Sequence, residues 1–174
     1  MAVLPILTAP DPRLKQRCKP VEKVDDHIRK LMDDMLETMY AAPGIGLAAP
    51  QVGVSLNLLV IDISKEPEPP QPLLMCNPEI VWSSTDLRVY EEGCLSVPEQ
   101  YADVTRPAKV RVRYIDHQNE IRELDADGLL ATVVQHEMDH LKGILFVDHL
   151  SALKRNMLIK KAQKAKRARV VSAE

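Results

Sequence analysis

The residues best suited to chemistry lie in Gln135-His136-Glu137-Met138-Asp139-His140. On a helix, positions i and i+4 share one face about a turn apart, so both imidazoles can reach one tetrahedral metal at roughly 2.0–2.1 Å. Glu137 follows the first histidine and projects to the side of that site, where it can take a proton from metal-bound water. A catalytic metal also needs a third protein ligand and an open fourth position. In one large group of zinc proteases the third ligand is a histidine six residues past the second. Here Gly143 stands in the interval, but that place holds Phe146. Asp148 and His149 follow the expected helix end, and His149 reads as a surface histidine. The better candidate is upstream, in Glu91-Glu92-Gly93-Cys94-Leu95-Ser96. A Cys94 thiolate is a strong ligand for Zn²⁺ or Fe²⁺. Cys18 and Cys76 read as small core residues.

A third stretch, Gly44-Ile45-Gly46-Leu47-Ala48-Ala49-Pro50-Gln51, suits a substrate site. Its glycines let backbone groups approach a peptide closely, and the Gln51 amide can donate to a developing oxyanion. The same GxG pair also fits a plain tight turn. It is no dinucleotide fingerprint, because the third glycine and the preceding strand are missing.

The elements that must position these residues are legible from hydrophobic spacing. Ile28, Leu31, Met32, Met35, Leu36 and Met39 follow the helical period, with Asp25 or Asp26 as cap and Pro43-Gly44 as stop. This predicts an N-terminal amphipathic helix. Leu56 to Ile63 is short, apolar and β-branched, as a buried strand requires. Lys65 to Pro72 carries four prolines in eight residues and reads as an exposed loop. Leu73 to Trp82 and Leu87 to Glu91 read as strands. Val110, Val112 and Tyr114 alternate with charges in a half-buried strand, and Asp116 to Glu120 turns the chain toward a partner at Ile121 to Leu124. Asp127-Gly128 opens the histidine helix and Gly143 closes it. Its apolar residues, from Leu129 to Leu141, cover much of the circumference, which places it centrally. From Ser151 the chain is a basic helix with Lys154, Arg155, Lys160, Lys161, Lys164, Lys166, Arg167 and Arg169. Leu153, Met157 and Ile159 give it a thin apolar face. The expected fold is α+β, with antiparallel or mixed sheets packed around a central metal-binding helix, and residues 1–174 forming one catalytic domain.

Composition sets the outer bounds. The 174 residues are enough for a real core without disulfides, and the formal net charge of −2 speaks against general nucleic-acid binding or specific DNA recognition. Aromatics make up only 3%, so the core must be aliphatic, with 7 methionines filling gaps. No apolar run nears the roughly 20 residues of a membrane span, and the start MAVLPILTAPDPR shows no signal-peptide pattern. Three widely spaced cysteines are no disulfide framework, which points to a reducing cytoplasm.

Taken together, Gly44 to Gln51, Glu92-Gly93-Cys94-Leu95-Ser96 and His136 to Gly143 resemble the three motifs of bacterial peptide deformylase, in the right order. The resemblance covers nearly the whole chain. It implies removal of the formyl group from the N-terminal formyl-methionine of new polypeptides, with release of formate. It further implies Cys94, His136 and His140 as metal ligands, Glu137 as general base and then acid, and Gln51 with the Leu95 N–H as oxyanion donors. The metal implied is Fe²⁺, with Zn²⁺, Ni²⁺ or Co²⁺ as substitutes. Ile45, Leu129, Thr132 and Val133 would line a slot for the methionine side chain, and Gly46 would pair with the substrate backbone. Leu129 and Val133 fit equally well as plain core. Glu92 and Arg106 read as a supporting ion pair, with Asp139 near the ligands.

Two rival readings remain at this stage. An HExxH endopeptidase requires a downstream third ligand, which Phe146 denies in one form. A closed structural Cys-His-His site on an RNA-binding protein requires a fourth ligand and leaves Glu137 without a task. The basic helix is either a solvated face or a means of docking on the ribosome, where binding would be salt-dependent.

Overall fold

The computed structural model describes residues 2–173, with side-chain surroundings for residues 2–168. Arg169, the last cation read in the basic helix, therefore falls outside the described side chains, as residue 174 falls outside the described chain.

Helix α1 spans Asp26–Ala41, capped by Asp25, whose carboxylate accepts the Ile28 N–H at 3.0 Å. Met32, Met35 and Met39 are fully buried on its inner face. Removing each from water is worth roughly 1.5–3 kcal/mol. Strand β1, Gly46–Ala48, follows, then β2 Leu58–Ile61, β3 Leu73–Ser83, β4 Leu87–Cys94, β5 Val97–Pro107, β6 Lys109–Ile115 and β7 Ile121–Asp127. Helix α2 spans Gly128–Leu141 and helix α3 Ala152–Ala173. Strands β1-β2-β3-β6-β7 form one sheet in that order, and β4 pairs with β5 in a separate hairpin. Every ladder is antiparallel, which decides between the antiparallel and mixed sheets expected. Among the described residues a single isolated bridge, Lys19 to Leu56, runs parallel.

The apolar run of β2 has a direct cause. Leu58 and Val60 pack with the α1 methionines, while Leu59 and Ile61 pack with Val134 and Met138 of α2. Helices cover this strand on both faces, so it cannot alternate. Ten of the 14 residues of α2 are buried, so the histidine helix is central, as its broad apolar surface predicts.

Two strands escaped the sequence reading. Strand β1 occupies the stretch whose glycine pair also fitted a tight turn, and β5 went unread because its buried positions are Val97 and then Ala102, Val104 and Arg106. An alternation built on alanine and arginine carries no hydrophobic period. Strand β4 also runs on to Cys94, because buried Glu92 interrupts the apolar pattern. In α3 the inward residues are Leu158 and Ala162, with Ile159 at the edge, whereas Leu153 is 83% and Met157 45% exposed. The thin apolar face therefore lies about a quarter-turn from the one expected.

Gly143 ends the second helix with φ +76°, and a Cβ there would lie 2.4 Å from the Lys15 carbonyl oxygen. Gly143→Ala is expected to destabilise the fold by more than about 1 kcal/mol, through left-handed backbone and backbone overlap together. Chemical denaturation measures this, and an unchanged midpoint would contradict it.

Candidate active site

Helix α2 brings His136 and His140 to one side with ring centroids 5.0 Å apart. The third member arrives from the β4–β5 hairpin, where Cys94 is the last residue of β4 and pairs with Val97 across a two-residue turn. Ligand atoms of Cys94, His136 and His140 all lie within 4.8 Å of one another, and Cys94 Sγ stands 3.3 Å from His140 Nε2. The sulfur also receives the Ser96 N–H at 3.4 Å and the Gln51 amide at 3.5 Å. His149 stays outside the trio, with Nε2 2.8 Å from Asp139 Oδ2, in keeping with its surface reading.

Behind His136 runs a chain of charges. Its Nδ1 lies 2.9 Å from Glu92 Oε1, which fixes the tautomer and leaves Nε2 for the trio. Glu92 takes two bonds from Arg106, at 2.7 and 3.0 Å, and Arg106 gives a third at 2.8 Å to Asp139. The expected ion pair is thus a bidentate fork, and both partners are buried. Burial works to raise the Glu92 carboxyl, but His136 and Arg106 outweigh it and hold the carboxyl below its usual range. Burial and the neighbouring His136 push His140 down, toward the neutral form a metal ligand needs.

Glu137 is the unusual group. It is 5% exposed, its Oε1 has no hydrogen-bond partner, and that oxygen lies 3.9 Å from His140 Nε2. Desolvation pushes its carboxyl up to about 7, close to the range in which a general base works best. Gly46 makes room for it: a Cβ at that position would sit 2.5 Å from Glu137 Oε2. The glycine read as a place for close peptide approach therefore also admits the glutamate.

Gln51 is held by the 3-10 turn Ala49–Val52, where its Oε1 accepts the Ala48 N–H at 2.9 Å and its Nε2 donates to Ser96 Oγ at 3.0 Å. The cleft beside the trio has a volume of about 550 Å³. Ile45, Gly46, Leu129, Thr132 and Val133 all line it, together with Gln51, Leu95 and Glu137. Val133 and Leu129 also pack against the core. Sequence reasoning missed Tyr90, Tyr101, Ile63 and Lys65 in the cleft wall. Tyr101 lies opposite Gly93 in the β4–β5 ladder, so reading that hairpin would have found it.

A half-buried Cys94 converging with buried His136 and His140, beside a glutamate whose Oε1 has no hydrogen bond on an HExxH helix, defines a metallohydrolase. The family model described as polypeptide deformylase matches residues 3–156. The peptide deformylase of Phenylobacterium zucineum is 60% identical over 97% of this chain and 99% of its own length. That of Rhizobium meliloti is 53% identical over 99% of each. The crystal structure of peptide deformylase from Ehrlichia chaffeensis superposes with a TM-score of 0.92 at 42% identity, covering 97% of this chain and 99% of that one. The chain belongs to the polypeptide deformylase family.

Proposed function

We infer that the chain removes the formyl group from N-formylmethionyl nascent peptides and releases formate. Glu137 carries the reading: a buried carboxylate whose Oε1 meets no protein donor, beside three converging ligand atoms. That orphaned oxygen fits a site completed by a metal and a water molecule. Cys94, His136 and His140 would hold one Fe²⁺, for which Zn²⁺, Ni²⁺ or Co²⁺ could substitute; a thiolate with two imidazoles suits these ions. A bound metal would supply Lewis acidity and lower the pKa of its water.

The residues of the chain divide the remaining work. Glu137 Oε1 takes a proton from water and passes it to the leaving amine nitrogen. Gln51 Nε2 and the Leu95 N–H donate to the oxygen of the formyl carbonyl as charge develops there. Strand β1 is the edge of its sheet, so Gly46 offers an extended peptide its outward backbone groups, while Ile45 lines the methionine slot. Leu129, Thr132 and Val133 receive the unbranched methionine side chain. The whole chain acts as one catalytic domain in the cytoplasm, where new polypeptides arise. Helix α3 exposes Lys154, Lys160, Lys161, Lys164, Lys166 and Arg167 and carries no acidic residue, a surface suited to ribosomal phosphates.

The test is formate release from a formyl-Met tripeptide by protein loaded with Fe²⁺ or Ni²⁺ without oxygen. A chelator should abolish release, and Gln51→Ala should lower it by about 10²–10³. Fully metallated protein that yields no formate overturns the reading.

A further inference from the structure

We propose that Tyr40 and Asp62 are positioning residues that hold the cleft wall facing the substrate beyond its formyl-methionine, an inference that rests on the function proposed above. Asp62 follows β2, is 4% exposed, and gathers four separate parts of the chain. Its N–H donates to the Ile45 carbonyl at 2.9 Å. Its Oδ1 accepts the Ser64 N–H at 2.9 Å and the Ser64 hydroxyl at 2.5 Å. Its Oδ2 accepts the Tyr40 hydroxyl at 2.5 Å and the Gln71 N–H at 3.1 Å. One carboxylate therefore ties both ends of the proline-rich loop to the last turn of α1.

The loop needs such a tie. Pro67, Pro69, Pro70 and Pro72 have no N–H to give, so the segment cannot fasten itself to the sheet as an ordinary strand would. Ile63 and Lys65, on either side of Ser64, line the same cleft as Ile45. Their place follows from the register. Gly46, beside Glu137, pairs with Ile61, and Asp62 meets Ile45 one step on. Ile63 therefore lies past the end of the ladder, each residue adding about 3.3 Å of distance from Gly46. A substrate of one residue ends short of this wall, and a longer peptide reaches it. Burial and the Asp62 charge raise the Tyr40 phenol well above its ordinary value, so it remains a donor through the neutral range.

Tyr40→Phe keeps the ring and removes the donor. Steady-state kinetics would compare a formyl-Met amide with a formyl-Met tripeptide. The expected result is a KM about three- to tenfold higher for the tripeptide, the worth of one hydrogen bond, with kcat unchanged and both parameters unchanged for the amide. Asp62→Asn, which keeps the main-chain bond to Ile45, should move the tripeptide KM in the same direction; if it fails to fold, Tyr40→Phe decides alone. Equal KM changes on both substrates, no change on either, or a fall in kcat on the amide overturns the proposal. A wild-type protein inactive on both substrates overturns the function instead.

Discussion

Replacing Glu137 with glutamine is expected to cut kcat/KM for formate release by about two to four orders of magnitude, the usual worth of a positioned general base. Glutamine keeps the shape that fits against Gly46, where the carboxylate lies too close to admit a Cβ. What it loses is the capacity to take a proton at Oε1. Metal content should stay at one per chain, because Cys94, His136 and His140 supply the ligand atoms. Stability should hold or rise slightly, since burial already disfavours the charged carboxylate at this position. Glu137→Ala is the less informative variant, because it also opens a void beside His140. The decisive measurement is single-turnover formate release at matched metal occupancy. Glu137→Gln activity within tenfold of wild type would remove the glutamate from the proton path.

The ligands were legible because chemistry constrains them locally. The i, i+4 pair His136 and His140 needs only a helix, and the apolar residues from Leu129 to Leu141 announce one. Cys94 was weaker, since nothing in a lone cysteine says which strand end presents it. The failure at Phe146 and the strength of a thiolate ligand pointed to it, the resemblance of Glu92 to Ser96 to a known motif added to that, and the β4–β5 turn explains how it arrives. Helix α1 was readable to its cap, with Asp25 accepting the Ile28 N–H as its position requires. Strand β5 was not, because its inward positions include Arg106, whose burial depends on Glu92 and Asp139 elsewhere in the chain. Asp62 had no signal at all. A single aspartate after an apolar strand looks like any turn residue until Tyr40, Ser64 and Gln71 are seen to converge on it. Periodicity reports which face of an element is buried, and it carries no information about which distant polar group makes burial tolerable.

Glu92 shows what such tolerance is worth. Glu92→Ala should destabilise the fold by about 3–5 kcal/mol, the usual cost of removing one partner from a buried ion pair. Asp139 still holds one nitrogen of Arg106, so the lower end of that range is expected. The same change removes the acceptor 2.9 Å from His136 Nδ1 and frees the ring to rotate or change tautomer. Metal affinity should fall by about 10–100-fold, the common effect of losing the group behind a histidine ligand. Glu92→Gln separates the two effects: its amide oxygen can still accept from His136, but the bidentate charge pairing with Arg106 is lost. It should therefore keep most of the metal affinity while losing stability. Denaturation midpoints of the metal-free proteins and competitive metal titrations of each variant measure the two quantities independently. If Glu92→Ala binds metal as tightly as wild type, the carboxylate serves Arg106 alone and His136 is oriented by its packing against Phe146, whose ring stacks 6.0 Å away.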